Sequence, residues 1–421
     1  MIARRAIVAV AGAAALSLAM AGCGAAGNDA GKAAGGKTEV RMLVNITPNL
    51  TDKWWNELVA PFEAANPDID VKIMAPVGKN VKESMPQLLA SGDVPDVVQS
   101  LLPTKDLVPE LVDLSAYEWA KSAPLASQNT FDGKYYIAGI GTQLQSIFFY
   151  NKKAFADAGI KNVPVTMDEF DADLQKLKDA GWMPLQTGGD WFTKLLPEIA
   201  GLPSIVAKNP QWYQDMSAGK VTFSQTYTDT LNLYASWVKK GYVPADAVGV
   251  KYSDAEQQFL AGKTAIYPMG SWFSAAEAKS DGKTEVGVFA SPGQAGVTNP
   301  KMGSGLASPY MLMKAGKHQD AAAKLVEYLV TDKASVTNQL QVDGNFRDGF
   351  EYPMNDLAKE LQKINAETPA ADFIPVADGF GDMTLPSGYG AEFNTQMQGI
   401  LTGGPVSTAT KNMDSWFDNN R

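Results

Sequence analysis

Between residues 39 and 73 the chain has the pattern of a strand, a helix and a second strand. Residues 40–46 carry an apolar side chain at every second position, as a half-buried strand does, and residues 69–73 repeat this alternation. The apolar residues within 54–62 follow helical spacing, and Asn66-Pro67-Asp68 ends that helix. Two strands joined by a helix usually run parallel in one sheet, because the crossover returns the chain to the same edge. The pattern therefore predicts an α/β fold.

The same succession recurs along the chain. Thr166 and Glu169 have the spacing of a capping box, which predicts a helix that starts there and runs to about residue 180. Because helices alternate with strands, we expect an α/β organisation with parallel sheets. The further predicted helices lie at residues 82–91, 152–158, 254–261, 320–329, 392–401 and 408–419, and the further strands at 96–99, 146–150, 264–267 and 286–289.

The length of 421 residues exceeds what one hydrophobic core usually supports, so two domains or one two-lobed body are expected. The formal net charge of −10 makes a nucleic acid an unlikely partner. With one cysteine and one histidine, His318, the chain offers few zinc ligands and no convincing Ser-His-Asp or Cys-His site. We therefore expect no metal, no cofactor and no catalytic residue, and a solvated His318.

The single cysteine, Cys23, follows Arg4, Arg5 and an apolar stretch that ends in Met20-Ala21-Gly22. The apolar stretch, at roughly 15 residues, is too short to span a bilayer and resembles the core of a signal peptide. We predict a lipoprotein signal peptide at residues 1–22, lipid attachment (palmitate included) to Cys23, and a flexible tether at residues 23–37. An ordinary signal peptide cleaved nearby is the alternative, and the choice between general and twin-arginine export stays open.

Several motifs are recognisable together. They are PFEAANPDIDVK at residues 61–72, LASGDVPDVV at 89–98, FYNKKAFADAG at 149–159, VTMDEF at 165–170, FLAGKTAI at 259–266 followed by GSW at 270–272, and AAAKLVEYL at 321–329. In this order and spacing the chain resembles the bacterial extracellular solute-binding proteins of family 1, which are carbohydrate-binding subunits of ABC importers.

This resemblance implies a two-lobed periplasmic-binding-protein-like fold of type II, with lobes joined by a multi-strand hinge and closing on a ligand. The expected amino-terminal lobe comprises residues 38–143 and 309–345, and the carboxyl-terminal lobe residues 144–308 and 346–421. The chain is expected to cross between lobes near residues 141–145, 308–312 and 344–348.

The implied function is a non-enzymatic receptor on the extracytoplasmic face of the membrane. It would be a lipid-anchored monomer that delivers a mono- or oligosaccharide to two permease subunits driven by a cytoplasmic ATPase. Two alternatives stay open. One is a cell-surface glycoside hydrolase, for which Asp190 and Asp382 are conceivable carboxylates. The other is the same fold with a non-sugar cargo.

Sugars present hydroxyl edges and apolar faces, so a sugar site needs aromatic platforms and planar polar groups. In α/β lobes such groups follow the carboxyl ends of strands. Asn45 after the first strand and Gln99 after the third are candidates, although each is also a plausible turn residue. Gln143 and Gln145 lie at the first expected crossing, and we prefer Gln145.

Asp190 and Trp191 lie in a glycine-containing loop, where backbone can approach a ligand and the two side chains would bind and stack on a sugar. The alternative is that Asp190 caps the next helix and Trp191 lies in the core. Trp272 is the leading candidate, because proteins that this chain resembles carry a stacking tryptophan after the matching glycine. Phe380 and Asp382, in a turn-rich loop, complete the set.

Overall fold

The computed structural model describes residues 36–78, 80–376 and 378–421. In this part of the chain the strands are β1 Thr38–Leu43, β2 Ile69–Met74, β3 Val97–Gln99, β4 Thr130–Phe131, β5 Lys134–Tyr135, β6 Gly141–Leu144, β7 Ile147–Asn151, β8 Met183–Leu185, β9 Thr264–Met269, β10 Val286–Ala290, β11 Met302–Ala307, β12 Tyr310–Leu312 and β13 Phe373–Ile374.

The helices are α1 Asp52–Ala65, α2 Val81–Ser91, α3 Glu118–Lys121, α4 Lys152–Asp157, α5 Met167–Asp179, α6 Leu195–Lys208, α7 Trp212–Ser217, α8 Phe223–Lys239, α9 Tyr252–Leu260, α10 Phe273–Glu277, α11 Gln319–Thr331, α12 Lys333–Val342, α13 Asp356–Glu367, α14 Tyr389–Leu401 and α15 Val406–Asn420. Short 3-10 turns connect several of them. The mixed composition of the elements confirms the predicted α/β class.

The first sheet has the strand order β12-β3-β1-β2. Strand β1 is parallel to β2 and β3, while β12 is antiparallel to β3. Successive strand residues face opposite sides: Val40 and Met42 join one buried cluster, and Leu43 joins another. The first cluster includes residues of α1 and α11, and the second includes residues of α2. The sheet is therefore covered on both faces.

The second sheet has the order β10-β7-β9-β8. Strand β8 is parallel to β9, but β7 is antiparallel to both β9 and β10. The expectation of parallel sheets is therefore correct for β8 with β9 but wrong for β7, which enters from the hinge rather than from a crossover helix. The sheet packs on helices through aromatic contacts, including ring centroids 4.9 Å apart for Phe148 and Phe170 and 5.5 Å apart for Phe170 and Trp237.

The helix α5 begins with the predicted capping box. The Thr166 Oγ1 accepts from the Glu169 amide at 3.2 Å, and the Glu169 Oε2 accepts from the Thr166 amide at 3.1 Å. These bonds satisfy amide groups that have no partner within the helix. They also hold the pKa of the Glu169 carboxyl below its ordinary value, chiefly through the amides of Val165 and Thr166.

Two neighbouring strands, β6 and β11, pair antiparallel between the two cores, and Thr142 forms a further bridge to Phe346. Each crossing segment starts in one core and ends in the other: Ile140 and Leu144, Ala307 and Met302, Leu340 and Phe346. The crossings expected at residues 141–145 and 344–348 lie here. The one expected at 308–312 lies too late in the chain, because β12 already belongs to the first sheet.

Candidate functional site

Trp272 follows strand β9 and is partly exposed, beside the junction of the two lobes. Its ring lies back across Gly270: a Cβ at that position would be 1.9 Å from the Trp272 Cζ3 atom. The glycine two residues earlier is thus a steric requirement for this ring position.

Trp191 and Tyr252 lie next to Trp272 and form with it what we call the aromatic cluster. The ring centroid of Trp191 is 6.4 Å from that of Trp272 and 5.5 Å from that of Tyr252. Trp191 is 38% exposed, which leaves an apolar face available to a ligand. Tyr252 is the first residue of α9. The sequence did not indicate it as a site residue, because a tyrosine at a helix start has no pattern that separates a site residue from a core residue.

In the loop that carries Asp190 and Trp191, Asp190 does not cap the next helix and Trp191 does not lie in the core. Helix α6 starts at Leu195 with Lys194 as its N-cap residue, and the Asp190 Oδ1 instead accepts from the Trp191 amide at 2.9 Å. The exposure of Trp191 likewise excludes a core position. Both parts of the alternative are therefore wrong.

The glycines of this loop serve packing rather than open approach to a ligand. A Cβ on Gly189 would lie 1.6 Å from the carbonyl oxygen of Val248, and the Gly189 amide donates to the carbonyl of Val250 at 3.0 Å. From the other side, the Asn394 side chain of α14 donates to the carbonyl of Asp190 at 3.1 Å. The middle of the loop is consequently held from both sides.

Asp343, on the turn after α12, accepts hydrogen bonds from side-chain amides beside the aromatic cluster. The side-chain amides of Asn49, Gln143 and Asn345 lie at 3.4, 3.3 and 3.3 Å from its oxygens. Burial raises the pKa of Asp343 to about 6, although these hydrogen bonds act in the opposite direction. The Gln145 amide donates to the Gln143 Oε1 at 3.3 Å, so the predicted Gln145 belongs to the same network.

Asn49 connects the first lobe with the aromatic cluster. Its side-chain nitrogen lies 3.3 Å from the carbonyl oxygen of Trp272, and its Oδ1 accepts from the Lys279 Nζ at 3.4 Å. A cavity of about 380 Å³ opens here, lined by Asn49 from one lobe and by Glu256 and Lys279 from the other. Asn49 and Asp343 were not among the candidates, since segments far apart in sequence bring them to this place.

Glu256 lies one helical turn after Tyr252 on α9 and is 4% exposed. The Tyr252 hydroxyl donates to its Oε2 at 3.3 Å. Burial raises the pKa of Glu256 to about 7, while the Tyr252 hydrogen bond and the charge of Lys279 act in the opposite direction. Burial, followed by the charge of Glu256, also raises the pKa of Tyr252 well above its ordinary value.

Asn45 and Gln99 lie together in the first lobe. The Gln99 Oε1 accepts from the Asn45 amide at 3.1 Å, and the Asn45 Oδ1 accepts from the amide of Val81 at 2.9 Å, where α2 begins. Gln99 is 1% exposed. These oxygens thus join β1, β3 and α2.

The loop between β13 and α14 contacts the first lobe. Phe380 is 1% exposed, and a Cβ on Gly381 would be 2.1 Å from the Gln128 carbonyl oxygen. Asp378 forms an ion pair with Lys82 of α2. The side chain of Asp382 lies outside the described part of the structure.

Comparison with known proteins identifies the family. Residues 47–336 match the model of the family described as bacterial extracellular solute-binding protein. The chain belongs to this family.

Two sequence relatives of this solute-binding protein are informative. A multiple sugar-binding protein of Streptococcus mutans is 27% identical over 73% of this chain and 76% of its own length. The diacetylchitobiose binding protein DasA of Streptomyces coelicolor is 26% identical over 99% of this chain and 98% of its own. These relatives are binding proteins rather than enzymes.

Solved structures show the same two-lobed fold. A chitin oligosaccharide binding protein superposes on this solute-binding protein with a TM-score of 0.77, at 22% identity, and covers 92% of this chain and 99% of its own. A raffinose complex of the solute-binding protein RafE gives a TM-score of 0.74, at 20% identity, over 91% and 99% of the two chains.

Among the residues described for this solute-binding protein, no three His, Cys, Asp or Glu side chains are placed to hold a metal ion. In the same part of the chain, no helix combines the length and apolar character needed to cross a membrane. Cys23 and the predicted signal peptide lie outside the described residues.

Proposed function

We propose that this solute-binding protein captures a mono- or oligosaccharide between its lobes and delivers it to an ABC importer. The importer would comprise two transmembrane permease subunits and a cytoplasmic ATPase. The observation that carries this proposal is the aromatic cluster beside the amides and carboxylate of Asn49, Gln143 and Asp343. Aromatic faces suit the C–H surface of a sugar, and planar polar groups suit its hydroxyls.

Within this proposal the ligand stacks on Trp191 and Trp272. Asp190 precedes Trp191 in the sequence, and Gln145 belongs to the hydrogen-bond network of Asp343. We assign both side chains contacts with sugar hydroxyls. Ligand contacts of the other predicted residues also stay part of the proposal, namely Asn45, Gln99, Phe380 and Asp382.

The proposed lobe boundaries are those predicted above, with residues 38–143 and 309–345 in one lobe and 144–308 and 346–421 in the other. The division of the buried residues into separate cores supports them to within a few residues. Closure then requires that the ligand contact both lobes, because a ligand shifts a conformational equilibrium by its difference in affinity for the two states.

The names of the relatives suggest the saccharides to test first. We would screen N,N′-diacetylchitobiose, chitin oligosaccharides, raffinose and common mono- and disaccharides by thermal shift. A ligand at one hundred times its dissociation constant stabilises the folded state by about 2.7 kcal/mol, which raises the melting temperature measurably. If no saccharide raises it and an amino acid, peptide or polyamine does, the proposed cargo class is wrong.

The glycoside hydrolase alternative is tested with the same saccharides. Incubation with the protein, followed by chromatography of the products, should return each saccharide intact. Reproducible cleavage of a glycosidic bond would replace the binding function with a catalytic one.

We also propose that the protein is a monomer anchored by lipid on Cys23 to the extracytoplasmic face of the bacterial membrane. The sequence pattern before Cys23 supports this. Cys23→Ala should move the protein from the membrane fraction to the soluble fraction and abolish labelling by palmitate. Membrane association that survives this substitution would refute the anchor.

A further inference from the structure

Asn49 lies in a turn that the first lobe holds in place by its own contacts. The Thr47 amide donates to the carbonyl of Leu50 at 3.1 Å, and the Leu50 amide donates to the Thr47 Oγ1 at 3.0 Å. The Leu50 side chain is buried in the same cluster as residues of β1 and α1. The turn therefore presents Asn49 at a fixed place on the first lobe.

The side-chain amide of Asn49 has one favourable orientation. Its Nδ2 lies 3.4 Å from the Asp343 Oδ1 and 3.3 Å from the carbonyl oxygen of Trp272, and both of these oxygens are acceptors. Its Oδ1 faces the Lys279 Nζ at 3.4 Å, and an ammonium group can only donate. A rotation of the amide by half a turn would place oxygen against oxygen and nitrogen against nitrogen. The three partners therefore fix the amide of Asn49.

Two of the three partners belong to the second lobe. Trp272 follows β9 and Lys279 follows α10, whereas Asp343 lies in the first lobe by the proposed boundaries. Asp343 thus orients the amide from within the first lobe, and the second lobe offers an acceptor and a donor that match it. Asn49 is 9% exposed, so these hydrogen bonds are largely shielded from water. We call the bonds of Asn49 to Trp272 and Lys279 the inter-lobe contact.

We infer that Asn49 is a positioning residue for solute capture, which holds the second lobe against the first through the inter-lobe contact. All partners in this contact are protein groups, so it forms before a solute binds and slows the release of a solute that is bound. The effect on release rests on the proposed function, whereas the effect on the lobes does not.

The ion pair of Lys82 with Asp378 also joins the lobes, and the test must separate it from the inter-lobe contact. Lys82 is partly exposed, so salt screens this pair. The bond between Asn49 and the Trp272 carbonyl joins two neutral groups, on which salt has little effect. An effect of Asn49 on the lobes should therefore persist in high salt, where the ion pair contributes least.

The test measures the distance between the lobes in the solute-free protein by pulsed electron spin resonance. Cys23→Ala removes the single cysteine, and Ala90→Cys on α2 with Ala172→Cys on α5 places one spin label at an exposed position of each lobe. We expect a population at the label distance that the structure predicts. Asn49→Ala should lower the ratio of this population to the remainder about tenfold, in low and in high salt.

A matched control and a second variant complete the test. Asn56→Ala removes an exposed side chain of α1 that bonds to Asp52 of the same helix, and it should leave the distances unchanged. Lys279→Met removes a partner on the other lobe and should lower the ratio about threefold, which decides the inference even if Asn49→Ala does not fold. Added to Asn49→Ala, it should cause no further loss, because the bond is already absent.

Three results would overturn the inference. One is a wild-type distribution that lacks the distance predicted by the structure. Another is a distribution that Asn49→Ala or Lys279→Met leaves unchanged. The third is a double variant whose loss equals the product of the two single losses, since residues that do not touch act independently.

Binding kinetics extend the test to function. With the saccharide found by the screen above, stopped-flow fluorescence should show dissociation about tenfold faster from Asn49→Ala than from the wild type, because the lobes reopen more readily. Equal dissociation rates would overturn the inference. Since the distance measurement needs no saccharide, failure of the screen would refute the proposed function without affecting the result for Asn49.

Discussion

Replacing Glu256 by glutamine should stabilise the protein in alkaline solution. Burial raises the pKa of this carboxyl from its ordinary value of 4.5 to about 7. Between these values the unfolded chain has lost the proton while the folded chain keeps it, so stability falls as the pH rises. Each tenfold change in the ionisation equilibrium corresponds to about 1.4 kcal/mol. The whole loss is therefore about 3 kcal/mol, and about 2 kcal/mol of it falls between pH 5.5 and 8.5.

Urea unfolding followed by circular dichroism measures this effect. The sequence pI of about 4.8 favours working at pH 5.5 and above, where the protein carries net charge. Glu256→Gln removes the titration, so its free energy of unfolding relative to the wild type should increase by about 2 kcal/mol from pH 5.5 to pH 8.5. Asp254→Asn should show a change below about 0.5 kcal/mol. A constant difference between Glu256→Gln and the wild type would refute the reasoning.

Three further substitutions test the site. Trp272→Ala should weaken saccharide binding about a hundredfold by calorimetry, with the protein still folded by circular dichroism; unchanged affinity would refute the stacking role. Gly270→Ala should weaken binding because its methyl group displaces the Trp272 ring, whereas Gly249→Ala, where a Cβ meets no atom within 4 Å, should not; equal effects would contradict the steric argument. Asp378→Asn breaks the ion pair with Lys82 and should reduce the salt dependence of binding, since that pair joins the lobes; an unaltered salt dependence would show that closure does not use it.

The low pKa of Asp378 explains why that ion pair persists across the physiological range. Burial acts to raise the pKa, but the charges of Lys82 and Lys194 and the amide of Gly390 outweigh it and hold the pKa below its ordinary value. The carboxylate of Asp378 is therefore ionised both above neutral pH and well below it. The contrast with Glu256 follows from the cations that lower each pKa: Lys82 and Lys194 act on Asp378, whereas Lys279 acts on Glu256.

Periodicity predicted some of the amphipathic elements of the fold, but the amphipathic helices α8 and α13 were not predicted. Strand β1 alternates because its two faces enter different cores, and α5 was located by the capping box of Thr166. Helix α6 was not predicted, because every residue from Leu195 to Val206 is buried and the helix shows no polar face. Periodicity also did not predict the direction of each strand, because an apolar run such as β7 has the same pattern in either orientation.

The candidate site was predicted only in part. Trp191 and Trp272 were both identified, and the structure places their rings together. Tyr252, Glu256 and Asn49 were not identified, since their importance depends on contacts between segments far apart in sequence. Local spacing indicates which residues share one helix or strand, but not which helices meet across a hinge.

The order of strands along the chain has a consequence for export. Strand β12, the edge of the first sheet, and helix α11, which covers that sheet, follow all four strands of the second sheet in sequence. A chain that emerges from the membrane with its amino terminus first must therefore expose the apolar faces of β1 and α1 until about residue 340 has passed. The lobe that starts first is completed late, so a translocation arrest near residue 300 should leave that lobe sensitive to proteases.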